Sequence, residues 1–152
     1  MDTVRTARLI TPPEAEDQAQ GILACDPGHT TGLAGWWPNW GLQVFEVGPD
    51  NWWQMPAELW EYRRLAVEAF AAYGARDRKS LEAVRTGGLI EGLLLSWDAE
   101  TREVEVRRPR PTERIPKMAT ATRMLQGTEL AHSQHAKDAL AHLLVQLQVW
   151  KP

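Results

Sequence analysis

The chain has 152 residues, 43% hydrophobic and 24% charged, with a formal net charge of −3. Those values fit one globular domain of about 100–150 residues around a single core and exclude a two-lobed enzyme or extensive disorder. No apolar run approaches the roughly 20 residues that span a bilayer. The polar start lacks the apolar centre of a secretion signal, and a lone Cys25 cannot form an internal disulfide, so a cytoplasmic protein with no membrane partner is expected.

Residues 1–20, with Pro12, Pro13 and no sustained periodicity, read as a polar extension outside the core, leaving 21–152 as the domain. Ile22 to Cys25 is a short apolar run of the buried-strand kind, and Asp26-Pro27-Gly28 ends it in a turn. Leu33 to Trp37 and Leu42 to Val47 continue as an antiparallel meander. A short helix is expected from Asp50 or Asn51 to about Tyr62, then a strand over Leu65 to Phe70 that includes Glu68. Ser80 to Trp97 reads as a helix. Its Leu89, Ile90, Leu93, Leu94 and Leu95 cover more than one side, and Gly87, Gly88 and Gly92 allow a second helix to approach, so Gly88, Leu89 and Leu93 are the expected dimer contact. Val104 and Val106 alternate with charges as in a strand, which Pro109 and Pro111 end. From about Thr128 to Trp150 the pattern is helical, with Leu140, Leu143, Leu144 and Leu147 forming a buried stripe. His135, Asp138 and His142 share the opposite face, which reads as the wet side.

A negative net charge argues against nucleic-acid binding, but the charge is segregated. Between Arg102 and Arg123 seven basic residues face three acidic ones, and Arg76, Arg78, Lys79 and Arg85 form a second basic group. Arg107, Arg108, Arg110, Arg114, Lys117, Arg76 and Lys79 are the candidate DNA contacts, against the plain alternative of a solvated charged face.

Singly, Asp26 reads as a turn residue, Glu68 as an edge-strand charge and Asp138 as a surface position. Together they are harder to set aside, because an unpaired carboxylate in an interior strand is costly to bury and a metal ion relieves that cost. Oxygen ligands with at most one histidine suit Mg²⁺ or Mn²⁺. His132, His135 and His142 do not supply a closed zinc set.

Three blocks resemble a known family. Ile22-Leu23-Ala24-Cys25-Asp26-Pro27-Gly28-His29-Thr30-Thr31-Gly32-Leu33-Ala34 is similar to the first strand-turn-strand of the RuvC-like Holliday-junction resolvases, in the RNase H-like superfamily. Leu65 to Tyr73, with Glu68, resembles their later strand bearing a catalytic Glu, and His135-Ala136-Lys137-Asp138-Ala139-Leu140-Ala141 their carboxy-terminal helix. The resemblance implies an α/β fold with a mixed five-stranded sheet, its first three strands antiparallel, flanked by helices, in a short, phage-type member. It implies Asp26, Glu68, His135 and Asp138 as catalytic residues and ligands of two Mg²⁺ or Mn²⁺ ions. It further implies nicks with 5′-phosphates, four-way junctions and other branched DNA as partners, and a homodimer. Where the family has a glycine-rich basic segment this chain has Pro109 to Lys117, with Lys117 the best match to a phosphate-facing lysine. Eight tryptophans, Trp52 and Trp53 foremost, invite a base-stacking reading, against the plainer one that most of them are core or dimer-interface residues. A nuclease for RNA–DNA hybrids and a non-catalytic junction-binding protein of the same fold are the alternatives. The Asp26 turn also resembles the first hairpin of actin-like ATPases and sugar kinases, which need two lobes.

Overall fold

A computed structural model describes residues 4–28, 30–48, 59, 61–68 and 104–150. Its strands are β1 (Arg5–Leu9), β2 (Gly21–Asp26), β3 (Thr31–Trp37), β4 (Gly41–Val47), β5 (Tyr62–Val67) and β6 (Glu105–Arg107); its α-helices are α1 (Met118–Leu125) and α2 (Gln134–Val149). Short 3-10 helices occupy Pro13–Ala15 and Pro111–Lys117.

The strands form one mixed sheet in the order β1-β4-β3-β2-β5-β6. β2, β3 and β4 pair antiparallel, as two tight connections require, while β5 lies parallel to β2 and β6 parallel to β5. The mixed α/β architecture and antiparallel first three strands of the domain are those expected. The sheet has six strands rather than five because Arg5–Leu9, read as part of an extension outside the core, pairs with β4. Arg5 fixes that edge: its Nε donates to Glu46 at 2.9 Å and its Nη1 to the Glu129 carbonyl at 3.2 Å.

Side-chain alternation divides the buried apolar residues of β2 to β5 between two cores. Ile22, Ala24, Ala34, Trp36, Leu42, Val44 and Ala66 meet α1 and α2, whereas Leu23, Cys25, Leu33, Trp37, Phe45, Val47, Leu65 and Val67 are buried on the other face. Both described helices lie on the first face. The helices expected at about 50–62 and 80–97, with Gly88, Leu89 and Leu93, lie outside the described residues apart from a few at the end of the first; of that first span, Tyr62 opens a strand. Among the described residues no helix is long and apolar enough to cross a membrane.

The helix expected from Thr128 starts at Gln134, because Ser133 caps it, its hydroxyl accepting from the Ala136 N–H at 3.1 Å. The preceding turns hold α1, which the sequence pattern did not announce; Gly127, at φ +79°, lets the chain leave it. α2 lies between the sheet on one side and α1 with the Pro111–Lys117 segment on another. Asp138 and His142, expected on a wet face, are therefore buried, His142 completely. At its far end the Trp150 carbonyl accepts from Gln18 Nε2 (3.0 Å) and Arg64 Nη1 (2.8 Å), and its ring lies 4.3 Å from the Arg107 guanidinium, tying the tail to β5, β6 and the segment before β2.

Candidate active site

The parallel pairing of β2 and β5 builds the centre. Its last paired residues are Cys25 and Val67, and the Glu68 N–H extends the ladder to the Cys25 carbonyl at 3.0 Å. One step further, Asp26 and Glu68 stand side by side at the carboxyl ends of neighbouring strands. Alternation from Ala24 and Ala66 turns both toward the face that α2 covers. Glu68, expected within a strand running to Phe70, stands just beyond β5, which begins earlier, at Tyr62.

α2 delivers the other groups from successive turns. His135, in its first turn, meets Asp26 Oδ2 through Nδ1 at 3.0 Å. That approach needs Gly32 in β3: a Cβ there would lie 2.0 Å from the His135 carbonyl oxygen. Asp138, on the next turn, accepts from Gln134 Nε2 at 2.8 Å through Oδ1. Arg114, from the Pro111–Lys117 segment, spans two acids: Nη1 is 2.6 Å from Glu68 Oε1 and Nε is 3.2 Å from Asp138 Oδ1. Behind them His142 Nε2 lies 3.6 Å from Glu68 Oε2, long for a hydrogen bond, and neither His142 ring nitrogen nor Glu68 Oε2 finds a hydrogen-bond partner. The structure thus brings Asp26, Glu68, His135 and Asp138 into one cluster, with Arg114 inserted in it. Among the described residues no three His, Cys, Asp or Glu side chains are so arranged that they could hold a metal ion as they stand.

Burial and crowding separate the two β-strand carboxyls. Burial pushes Asp26 up to about 7; the bond from His135 pulls it down, and the neighbouring Glu68 adds to the rise. Burial would also raise Glu68, but His142, Asp26 and Arg114 together outweigh it and bring Glu68 to about 2. Of the two adjacent acids it is therefore Asp26 that takes up a proton as pH falls below about 7, while Glu68 stays ionised. The same Asp26 contact holds His135 above its ordinary value, against the effect of burial.

The candidate DNA contacts have varied fates. Arg107 is drawn to Trp150 and donates to Gln146 Oε1 at 3.4 Å, and Lys117 pairs with Glu14 at 3.2 Å. Arg108 and Arg110 are exposed on the strand-to-helix segment, the Arg110 backbone N–H donating to the Glu113 carboxylate. Arg76 and Lys79, like Trp52 and Trp53, lie outside the described residues; Trp36, Trp37 and Trp150 are core.

No protein-family model matches the sequence, and no curated protein does. Among solved structures the chain is similar to T. thermophilus RuvC in complex with a Holliday junction substrate: 20% identity over 84% of this chain and 92% of that one, with a TM-score of 0.49.

Gln134, His142 and Arg114 were not assigned to the cluster from sequence. Gln134 and His142 stand four residues before and after Asp138 on α2, a spacing that stacks side chains on one helix face and is legible once that face is known to be buried. Arg114 was read only as a phosphate contact, and nothing in its local sequence points to acids contributed by β5 and α2.

Proposed function

We propose that the chain is a metal-dependent endodeoxyribonuclease that resolves four-way junctions and other branched DNA in the cytoplasm, in the manner of the RuvC-like family it resembles. The observation that supports this most is the convergence of Asp26, Glu68, His135 and Asp138 at the carboxyl ends of β2 and β5 beneath α2.

The donor set of three carboxylates and one imidazole has the chemistry of a Mg²⁺ or Mn²⁺ site, and the buried Glu68 Oε2, which has no hydrogen-bond partner, is an atom that a cation would satisfy. Asp26, Glu68, His135 and Asp138 would hold the metal, and two divalent ions would supply an activated water and stabilisation of the departing 3′ oxygen, leaving a 5′-phosphate. The protein's part is orientation. Asp26 fixes the His135 ring through Nδ1, Gln134 fixes Asp138 through Oδ1, and the parallel ladder holds Asp26 and Glu68 abreast. Exposed Arg108 and Arg110 would meet backbone phosphates, giving orientation rather than sequence readout. Two-fold symmetry of a four-way junction calls for a homodimer, with Gly88, Leu89 and Leu93 as the proposed contact.

The test incubates end-labelled four-way DNA and an RNA–DNA hybrid with the protein in Mg²⁺, and in Ca²⁺ for binding alone. Paired nicks with 5′-phosphates in the junction, lost in Asp138→Asn, are expected. Preferential cutting of the hybrid would move the substrate class, and binding in Ca²⁺ without cutting in Mg²⁺ would leave a junction-binding protein.

A further inference from the structure

An arginine stands where the acidic cluster has greatest need of positive charge. Arg114 donates from Nη1 to Glu68 and places Nε against Asp138, so one guanidinium joins residues contributed by two different elements. Charge-assisted contacts of this kind between partly buried groups are among the stronger polar interactions in a protein, and a planar guanidinium can reach two acids at once where an ammonium reaches one point. Arg114 thereby lies between Glu68 and Asp138, where a cation shared by the two acids would sit.

Its mounting permits departure. The Pro111–Lys117 segment has its own local order, from the Glu113 carboxylate on the Arg110 N–H, and a second anchor in the Lys117–Glu14 pair, so it does not depend on the Arg114 head group alone. The Arg114 side chain is 25% exposed, against 6% for that of Glu68, and so has an open route to solvent that its partner lacks. Gln134 holds Asp138, and the ladder holds the Glu68 backbone, after the guanidinium leaves.

Resting on the metal-dependent reading above, we propose that Arg114 is a built-in counterion that a divalent ion has to displace from Glu68 and Asp138. A guanidinium and a divalent cation repel each other at the few ångström these acids allow, so the two occupants exclude one another. Arg114 thus keeps the acids from repelling one another while no metal is bound, and it sets the metal concentration at which the centre loads.

The experiment titrates Mn²⁺ into wild type, Arg114→Gln and Arg114→Lys, reading free Mn²⁺ by electron paramagnetic resonance, with melting followed in EDTA and in Mn²⁺. Arg114→Gln should bind Mn²⁺ on the order of tenfold more tightly, because no internal cation competes. Arg114→Lys should fall between the two. In EDTA Arg114→Gln should melt below wild type and then gain more from Mn²⁺, a pattern that loss of a merely structural contact does not produce. Equal or weaker Mn²⁺ binding in Arg114→Gln overturns the proposal and leaves the nuclease reading standing. Should Arg114→Gln not fold, Arg114→Lys decides alone, and affinity no higher than wild type overturns the proposal. Absence of Mn²⁺ binding by all three proteins overturns the metal-dependent reading, and the counterion proposal with it.

Discussion

Replacing Asp26 by Asn should remove most of a pH dependence of stability that the wild-type protein shows without metal. Burial beside Glu68 raises the Asp26 carboxyl from 3.8 to about 7 in the folded protein. Between those values the folded state holds a proton that the unfolded state has released, so stability falls as pH rises and levels off above about 7. The slope is about 1.36 kcal/mol per pH unit, so the two units from pH 5 to pH 7 amount to about 2–3 kcal/mol. His135, also raised, acts in the same direction, its stabilisation being lost as pH climbs through its folded value. Glu14, Glu46 and Glu68 are lowered; their stabilisation is present above the ordinary carboxylate range and lost only in acid, so they are silent in this window. Urea unfolding in EDTA at pH 5 and pH 8 measures the effect. Wild type should be less stable at pH 8, and Asp26→Asn should show a much smaller difference, because an amide does not titrate and does not repel Glu68. A wild-type protein more stable at pH 8, or an Asp26→Asn slope equal to that of wild type, would refute the placement of these carboxyls side by side.

Gly32→Ala should lower the melting temperature and, in whatever folds, weaken Mn²⁺ binding, since its Cβ would meet the His135 carbonyl oxygen at 2.0 Å and push the first turn of α2 off β3; a melt equal to wild type contradicts that contact. Replacing Arg108 and Arg110 together with Ala should reduce the slope of log K against log salt for junction binding in Ca²⁺ by about two, close to one per lost phosphate contact, and an unchanged slope returns both to a solvated face. Leu93→Arg should convert a homodimer to monomers with an unchanged circular dichroism spectrum, as sedimentation would show; a dimer that survives places the contact elsewhere.

The centre of the sheet was legible because its apolar runs are short, bounded by Gly and Pro, and alternate cleanly between the two cores. Asp26 could be placed at a strand end from Pro27 and Gly28 alone. The start of α2 was not legible, since Thr128 to Ser133 keeps a helical composition while the Ser133 cap decides where the helix begins. Nor was the surrounding of His142. A leucine stripe predicts one buried face, but α2 is enclosed on two sides, a tertiary fact that no periodicity within the helix encodes. Arg5–Leu9 shows the same principle at the sheet edge: its polar pattern reads as an extension, and pairing with β4 plus the Arg5 contacts to Glu46 and Glu129 make it a strand. The Arg114 contact joins positions 46 and 24 residues apart in sequence, and only the folded chain brings its partners within reach.

The most direct measurement of the central claim is single-turnover cleavage of a labelled four-way junction in Mg²⁺ by wild type, Glu68→Gln, His135→Ala and Asp138→Asn, each first matched for junction binding in Ca²⁺. The expected result is retained binding with cleavage reduced by about 10² or more in each variant, since each removes a proposed ligand of one shared centre. Wild-type cleavage rates in Glu68→Gln and Asp138→Asn would contradict it and place the chemistry outside this cluster.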